Sequence, residues 1–388
     1  MADFKGLDST FSQAVASKRI PGVVATAATD TGVVYEGAFG QREIGKPAAM
    51  TLDTVVWIAS MTKAITATAA MQQVERGKLS LEKPASDVVP ALGAVKVLEG
   101  FDAAGQPRLR APKRPITLRH LLTHTAGFSY EIWSSSIAQF QQVTGTPGIT
   151  TCTNAALGTP LLFDPGDRWD YGINIDWAGK MVEAVSGQRL DRYFQDHITG
   201  PLGMKDTAFK LGTAQSARLS AMHQRGPDGT LAPIEFGLPQ DPEFHMGGGG
   251  LYGTAGDYLN FCRMILGGGT FKGAQILQKG TVDLMGQNHI GSLEVGVLKT
   301  AIPPLSNDVE LFPGMSKKWG LSFLINTKEA ATGRAANSLA WAGLANTYFW
   351  IDRTKRVCGV FLSQLLPFYD DTAIDLFGTF ERAVYRAV

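Results

Sequence analysis

Cysteine is scarce: the 388 residues include three, Cys152, Cys262 and Cys358. They stand far apart and without paired spacing. That is neither a disulfide framework nor a thiolate metal site, and it fits a reducing compartment. An excess of one charge is also missing. Lys and Arg number 36 against 35 Asp and Glu, a net charge of +1, so nothing suits a polyanion and a nucleic-acid partner is not expected. No apolar run is long enough to span a bilayer. The start, Met1-Ala-Asp-Phe-Lys-Gly-Leu-Asp8, lacks the charged-then-apolar layout of an export signal. There is no internal repeat and no low-complexity tract. Nor is there a Gly-x-Ser-x-Gly elbow, which disfavours the α/β-hydrolase triad. These absences leave a cytoplasmic protein without a membrane partner, long enough for two domains or one elaborated domain.

What is present centres on Ser60-Met-Thr-Lys63. The strand-like run Thr54–Ile58 gives way here to a helical run, Ala64–Arg76, that stops at Gly77. A serine and a lysine three apart on a helix share one face. If Ser60 begins the helix, nearby N–H groups have no helical partner and the helix end favours negative charge. A hydroxyl, an amine and free N–H groups at one spot are the parts of acyl transfer through a serine ester. The same pattern also suits a serine that only caps a helix. The small, apolar residues around Lys63 predict burial, where an amine needs a partner or a task.

The remainder divides by pattern. Leu7–Lys18 reads as an amphipathic helix, and Gly22–Thr29 with Val33–Phe39 as a hairpin around Asp30-Thr-Gly32. Strand signals fade between Leu79 and Met246, where short helices are expected at Thr117–Thr123, Asp176–Ser186 and Leu190–Ile198, and Asp102–Arg114 reads as a surface loop. After Gly247–Gly250, Thr254-Ala-Gly-Asp257 reads as a capping box for a helix through Leu266. Strands follow at Trp319–Asn326, Ser338–Ala342, Thr347–Asp352 and Val357–Ser363, then a helix from Asp371 to Tyr385. The expected fold is α+β. Residues 1–78 and 247–388 form one antiparallel sheet flanked by helices, residues 79–246 form a mainly helical domain, and the active site lies between them.

Two further stretches carry candidate chemistry. Trp169-Asp-Tyr171-Gly-Ile-Asn174-Ile-Asp176 follows the turn Asp164-Pro-Gly166. It could be a plain loop with a half-buried tyrosine, or Tyr171 could act as a base if a nearby lysine lowers its pKa. Asp176 suits either a supporting role or a helix cap. Ser338-Leu-Ala-Trp341-Ala-Gly343-Leu344 reads as an ordinary strand, or as an edge strand lending a backbone N–H to an oxyanion hole. Other patterns are set aside. Gly248-x-Gly250-x-x-Gly253 copies the dinucleotide fingerprint but follows a loop rather than a strand. His120 and His124 have the spacing of zinc ligands, yet no third ligand or adjacent glutamate accompanies them, so capping or core roles are expected and no metal.

Ser60-x-x-Lys63, Leu121-Leu-Thr-His-Thr-Ala-Gly127, Asp164-Pro-Gly-x-x-x-x-Tyr171, Pro201-Leu-Gly-Met204 and Gly247-Gly-Gly-Gly-Leu-Tyr-Gly-Thr254 occur in this order over most of the chain. In this the sequence resembles the serine β-lactamase/penicillin-binding-protein superfamily, and within it the class C β-lactamase-like (family VIII) carboxylesterases. The resemblance implies a β-lactamase/transpeptidase-like fold and Ser60 as nucleophile. It implies that Lys63 and Tyr171 take the serine proton, and that the backbone N–H groups of Ser60 and Leu344 form the oxyanion hole. Trp341 and Gly343 would stand on the strand where β-lactamases carry lysine-threonine-glycine, and Tyr130 would form a pocket wall. Two departures stand out. Ile173 occupies the asparagine position of Tyr-x-Asn, with Asn174 one later, and Trp341 replaces the strand lysine, removing a cation suited to a substrate carboxylate. The expectation is a serine carboxylesterase for compact or short-chain esters, working without cofactor on a small-molecule ester. β-Lactamase/D-alanyl-peptidase and acyltransferase activities are the alternatives for the same site.

Overall fold

The computed structural model describes residues 4–388, so Met1–Asp3 of the N-terminal stretch lie outside it. In chain order the elements that frame the site are α1 (Lys5–Ala16), β1 (Gly22–Thr29), β2 (Val33–Gly40), α2 (Thr62–Glu75), β3 (Val97–Phe101), β4 (Pro107–Arg110), α3 (Leu118–Leu122), α4 (Ser135–Thr144), α5 (Asn174–Ser186), β5 (Met222–Arg225), β6 (Leu231–Ile234), α6 (Ala255–Leu266), β7 (Lys317–Trp319), β8 (Leu324–Asn326), β9 (Leu339–Gly343), β10 (Thr347–Asp352), β11 (Val357–Leu362) and α7 (Asp371–Ala387). Seven strands make the main sheet in the order β7-β8-β9-β10-β11-β1-β2, every pair antiparallel.

Strands β1, β9, β10 and β11 are buried on both faces, and alternation decides what each residue meets. Phe349 of β10 packs against Tyr258 of α6 on one face. Its neighbour Trp350 meets Phe377 and Phe380 of α7 on the other, where Phe11 of α1 joins Phe361 and Phe380. α2 is buried from Thr62 to Gln73. A helix with no polar stripe has no solvent face, as its small, evenly apolar sequence predicts. It ends where Gly77 takes φ +68°.

No strand of residues 79–246 enters the main sheet. The polar stretch expected as a loop is instead half of the β3–β4 hairpin. Asp102 Oδ1 accepts from the N–H groups of Ala104 and Gln106, and Gly105 takes φ +75°. A second hairpin, β5–β6, turns at Pro227-Asp-Gly229. Their strands are short and mix buried with exposed positions without alternation, which hid their period. The expected strand Trp319–Asn326 is two strands. Gly320 breaks it by lying so close to Met285 that a Cβ would come 2.2 Å from that carbonyl oxygen. Half of the Thr254 capping box forms: Thr254 Oγ1 accepts from the Asp257 N–H at 3.2 Å, while the Asp257 carboxylate turns to Asp206 N and Thr207 Oγ1. The expected helix Leu190–Ile198 is helical to Phe194 and widens into a π turn over Gln195–Thr199. Among the described residues no helix is long and apolar enough to cross a membrane.

Candidate active site

Ser60 sits on a tight turn, Ala59–Met61, immediately before α2. Ala59 has φ +46°, a conformation that costs a non-glycine residue about 1–3 kcal/mol and persists only where its surroundings enforce it. Three contacts do so. Thr62 Oγ1 donates to Ala59 O at 2.7 Å, Tyr258 Oη donates to Met61 O at 2.8 Å, and β9 presses on the turn through Gly343. A Cβ on Gly343 would come 2.4 Å from Ile58 O and 3.1 Å from Ala59 Cβ, so only glycine permits this approach. The next residue, Leu344, thereby lines the same small cavity as Ser60, about 50 Å³ in volume. β9 is not an edge strand. It pairs with β8 at Leu339 and Ala340, and only from Trp341 onward does that side leave the ladder.

Lys63 lies one helical turn along, fully buried, with Nζ 3.0 Å from Ser60 Oγ, 3.0 Å from Tyr130 Oη and 2.6 Å from Gly248 O. Burial drives its amine down to about 7, against the pull of Asp176, whose negative charge favours the ammonium. Asp176 is itself buried on α5. Its Oδ1 accepts from the Gly248 N–H at 2.8 Å and its Oδ2 has no hydrogen-bond partner. Burial pushes this carboxyl up to about 6. Gly248 is thus gripped from both sides, and a Cβ there would fall 2.5 Å from Asp176 Oδ2. The glycine run that copies a dinucleotide fingerprint is the loop that seats the lysine.

Tyr171 lies within hydrogen-bonding reach of Ser60. Its ring packs among His124, Tyr130, Trp133 and Trp341, and Lys63 Nζ lies 4.7 Å from its centroid. Trp341 does more than supply an apolar wall: its indole N–H donates to Tyr171 Oη at 2.9 Å. Lysine does not lower the phenol pKa as expected. Burial raises it, and the hydrogen bonds from Ser60 and Trp341 only moderate the rise. Tyr130 is likewise held well above its ordinary value.

The structure brings Ser60, Lys63, Tyr171, Trp341, Gly343, Leu344 and Tyr130 together. Tyr130, expected as a wall, also takes a hydrogen bond from Lys63. Asn174 does not reach the lysine; its amide lies 2.9 Å from His124 Nδ1. His124, buried at φ +56°, is kept neutral by burial and by the charge of Lys63, and its Nδ1 also accepts from the Gly172 N–H. His120 closes a capping box with Thr117. The pair therefore serves a core and a cap, and no metal-binding group of three or more His, Cys, Asp or Glu exists among the described residues. Sequence reasoning missed the Gly248 carbonyl and did not decide Asp176, whose N-cap alternative fails because Ile173 holds that position without a side-chain bond.

The family model for Beta-lactamase matches residues 7–381. This chain belongs to the beta-lactamase family. Its curated relatives in that family include Monacolin J acid methylbutanoyltransferase of Aspergillus terreus, 33% identical over 98% of this chain and 95% of the relative. Another is Lovastatin esterase of Penicillium rubens, 34% identical over 98% of both chains. Among solved beta-lactamase-type structures, unliganded Simvastatin Synthase (LovD) from Aspergillus terreus superposes with a TM-score of 0.85 at 32% identity, covering 98% of this chain and 97% of that one. The chain is accordingly an enzyme of the serine-hydrolase fold, and its relatives in the family include acyltransferases as well as an esterase.

Proposed function

We propose that this enzyme forms an acyl-enzyme on Ser60 and passes a short acyl group to an alcohol, with hydrolysis as the competing outcome. The reading differs in emphasis from a plain esterase because the relatives with full-length coverage include acyltransferases. The observation that carries it is the junction of Ser60, Lys63, Tyr171 and Trp341 in one network. A cavity of about 50 Å³ walled by Trp57, Tyr130, Ile132 and Trp133 suits a compact acyl chain. We place this site between the sheet unit (1–78 and 247–388) and the mainly helical unit (79–246).

Neutral Lys63 takes the Ser60 proton as Oγ attacks the ester carbonyl, and the oxyanion is held by the Ser60 and Leu344 N–H groups. Collapse breaks the ester C–O bond. Tyr171, still a phenol at neutral pH, gives its proton to the departing alkoxide, while the lysine keeps the proton it took from Ser60. The acceptor alcohol then enters in reverse: it gives its proton to Tyr171 as it attacks the acyl carbon, and Lys63 returns its proton to Ser60 Oγ as the acyl bond breaks. Product analysis with p-nitrophenyl butyrate and rising primary alcohol tests the preference. New ester in excess of the alcohol-to-water ratio is expected, and butyrate alone at every alcohol concentration would leave a simple esterase.

Two measurable consequences follow from the network. Trp341→Phe keeps an aromatic wall but deletes the donor to Tyr171. Loss of one such hydrogen bond is worth about 1 kcal/mol, so kcat should fall roughly fivefold to tenfold with KM little changed, and an unchanged kcat would remove Trp341 from the relay. The second concerns pH. The reaction needs the neutral amine, so kcat/KM should rise through about 7 as Lys63 loses its proton. Asp176 favours the ammonium, so Asp176→Asn should lower the lysine pKa and move this limb to lower pH. A limb that stays in place or moves up would contradict the coupling.

A further inference from the structure

The cavity beside Ser60 is lined mostly by apolar residues, with the hydroxyls of Ser60, Tyr130 and Thr150 among them. Among the described residues that line it, Glu131 is the only charged side chain. It follows Tyr130 directly and packs over Gly148, where a Cβ would lie 3.1 Å from Glu131 Oε1. Gly148 leads into Ile149 and Thr150, which line the same cavity as Glu131. The influences on it are burial, which raises its pKa, its own backbone N–H and a hydrogen bond with Gln141; no cation is among them. Its charge also contributes to holding the neighbouring Tyr130 phenol protonated. Lys63 is not among the lining residues; its Nζ is held by Ser60, Tyr130 and Gly248, which are.

We propose that Glu131 is a charge filter at this site, selecting esters and acceptor alcohols that carry a basic nitrogen over those that carry a carboxylate. The inference rests on the acyl-enzyme reading above and names the substrate class for it. A half-buried carboxylate without a cationic partner attracts an ammonium group and repels a second carboxylate, and both effects act through a medium that screens far less than water. Together with Trp341 in place of a strand lysine, it leaves the cavity lining with no cation to receive the carboxylate of a β-lactam and one group that opposes it.

The test uses three esters of one shape at pH 8: 4-(aminomethyl)benzyl butyrate, benzyl butyrate and 4-carboxybenzyl butyrate. The readout is the ratio of kcat/KM for the cation to that for the anion within each variant, which cancels any change in folded fraction or in chemistry common to both. A wild-type ratio of roughly ten or more is expected, shrinking as salt is added. It should collapse toward unity in Glu131→Gln and invert in Glu131→Lys. A ratio equal in wild type and Glu131→Gln, or a wild-type preference for the carboxylate, would overturn the filter while leaving the serine chemistry standing. Failure of the wild type to turn over the uncharged benzyl ester would instead overturn the reading of the site, and the filter with it.

Discussion

Replacing Ser60 by alanine should reduce ester turnover and acyl transfer by a factor on the order of 10⁴ or more, with residual activity only from binding and the oxyanion N–H groups. The expectation is large because the hydroxyl has no understudy. Lys63 Nζ and Tyr171 converge on it, and the Ala59 turn that presents it is held by Thr62, Tyr258 and Gly343 whether or not the oxygen is present. The variant should therefore fold as the parent does. Initial rates with p-nitrophenyl butyrate, together with labelling by a phosphonate ester, measure this directly. Activity within tenfold of the parent, or labelling that survives the change, would remove Ser60 from the chemistry.

Lys63→Met is expected to cost on the order of 10³-fold or more in kcat/KM while changing stability little. Methionine keeps the length of the chain within α2 but has no amine to accept the serine proton. Two opposing terms set its stability. Removing a fully buried amine relieves a desolvation cost, whereas the Gly248 carbonyl and the Tyr130 hydroxyl lose a partner, at about 1–3 kcal/mol for each buried group left unsatisfied. Asp176 also loses the cation that favours its ionised form and should bind a proton. The separation is diagnostic. A residue that only filled space would move melting temperature and activity together, so thermal unfolding beside steady-state rates distinguishes the two roles.

How far the sequence could be read follows from what each signal depends on. The central sheet strands and α2 were legible because burial on all sides leaves a dense apolar record, and Gly77 marked the helix end at its positive φ. The two hairpins of residues 79–246 were not, because their short strands mix buried with exposed positions without alternation and only their turns, Asp102-Ala-Ala-Gly105 and Pro227-Asp-Gly229, signalled them. Ser60 and Lys63 could be paired from helical spacing alone. Tyr171, Trp341 and Leu344 could be placed beside them only through the family resemblance, since they come from a loop and a strand more than a hundred residues away. The contacts that tune the site stayed hidden for a different reason. Gly248 acts through its backbone carbonyl, which no side chain announces. Asp176 matters through burial and an unpaired oxygen, which are properties of packing. Even Trp341, noticed for the charge it removes, contributes a donor whose target is fixed only in three dimensions.

The claim that binds these points together is a covalent acyl group on Ser60 that an alcohol can collect. Rapid acid quench of the enzyme mixed with p-nitrophenyl butyrate, followed by proteolysis and mass spectrometry, tests it most directly. The prediction is a butyryl adduct on the peptide containing Ser60, present within the first turnover. Its amount should fall as a primary alcohol is added, while the butyrate ester of that alcohol appears. Ester formation with no adduct on that peptide, or an adduct on a different residue, would contradict it.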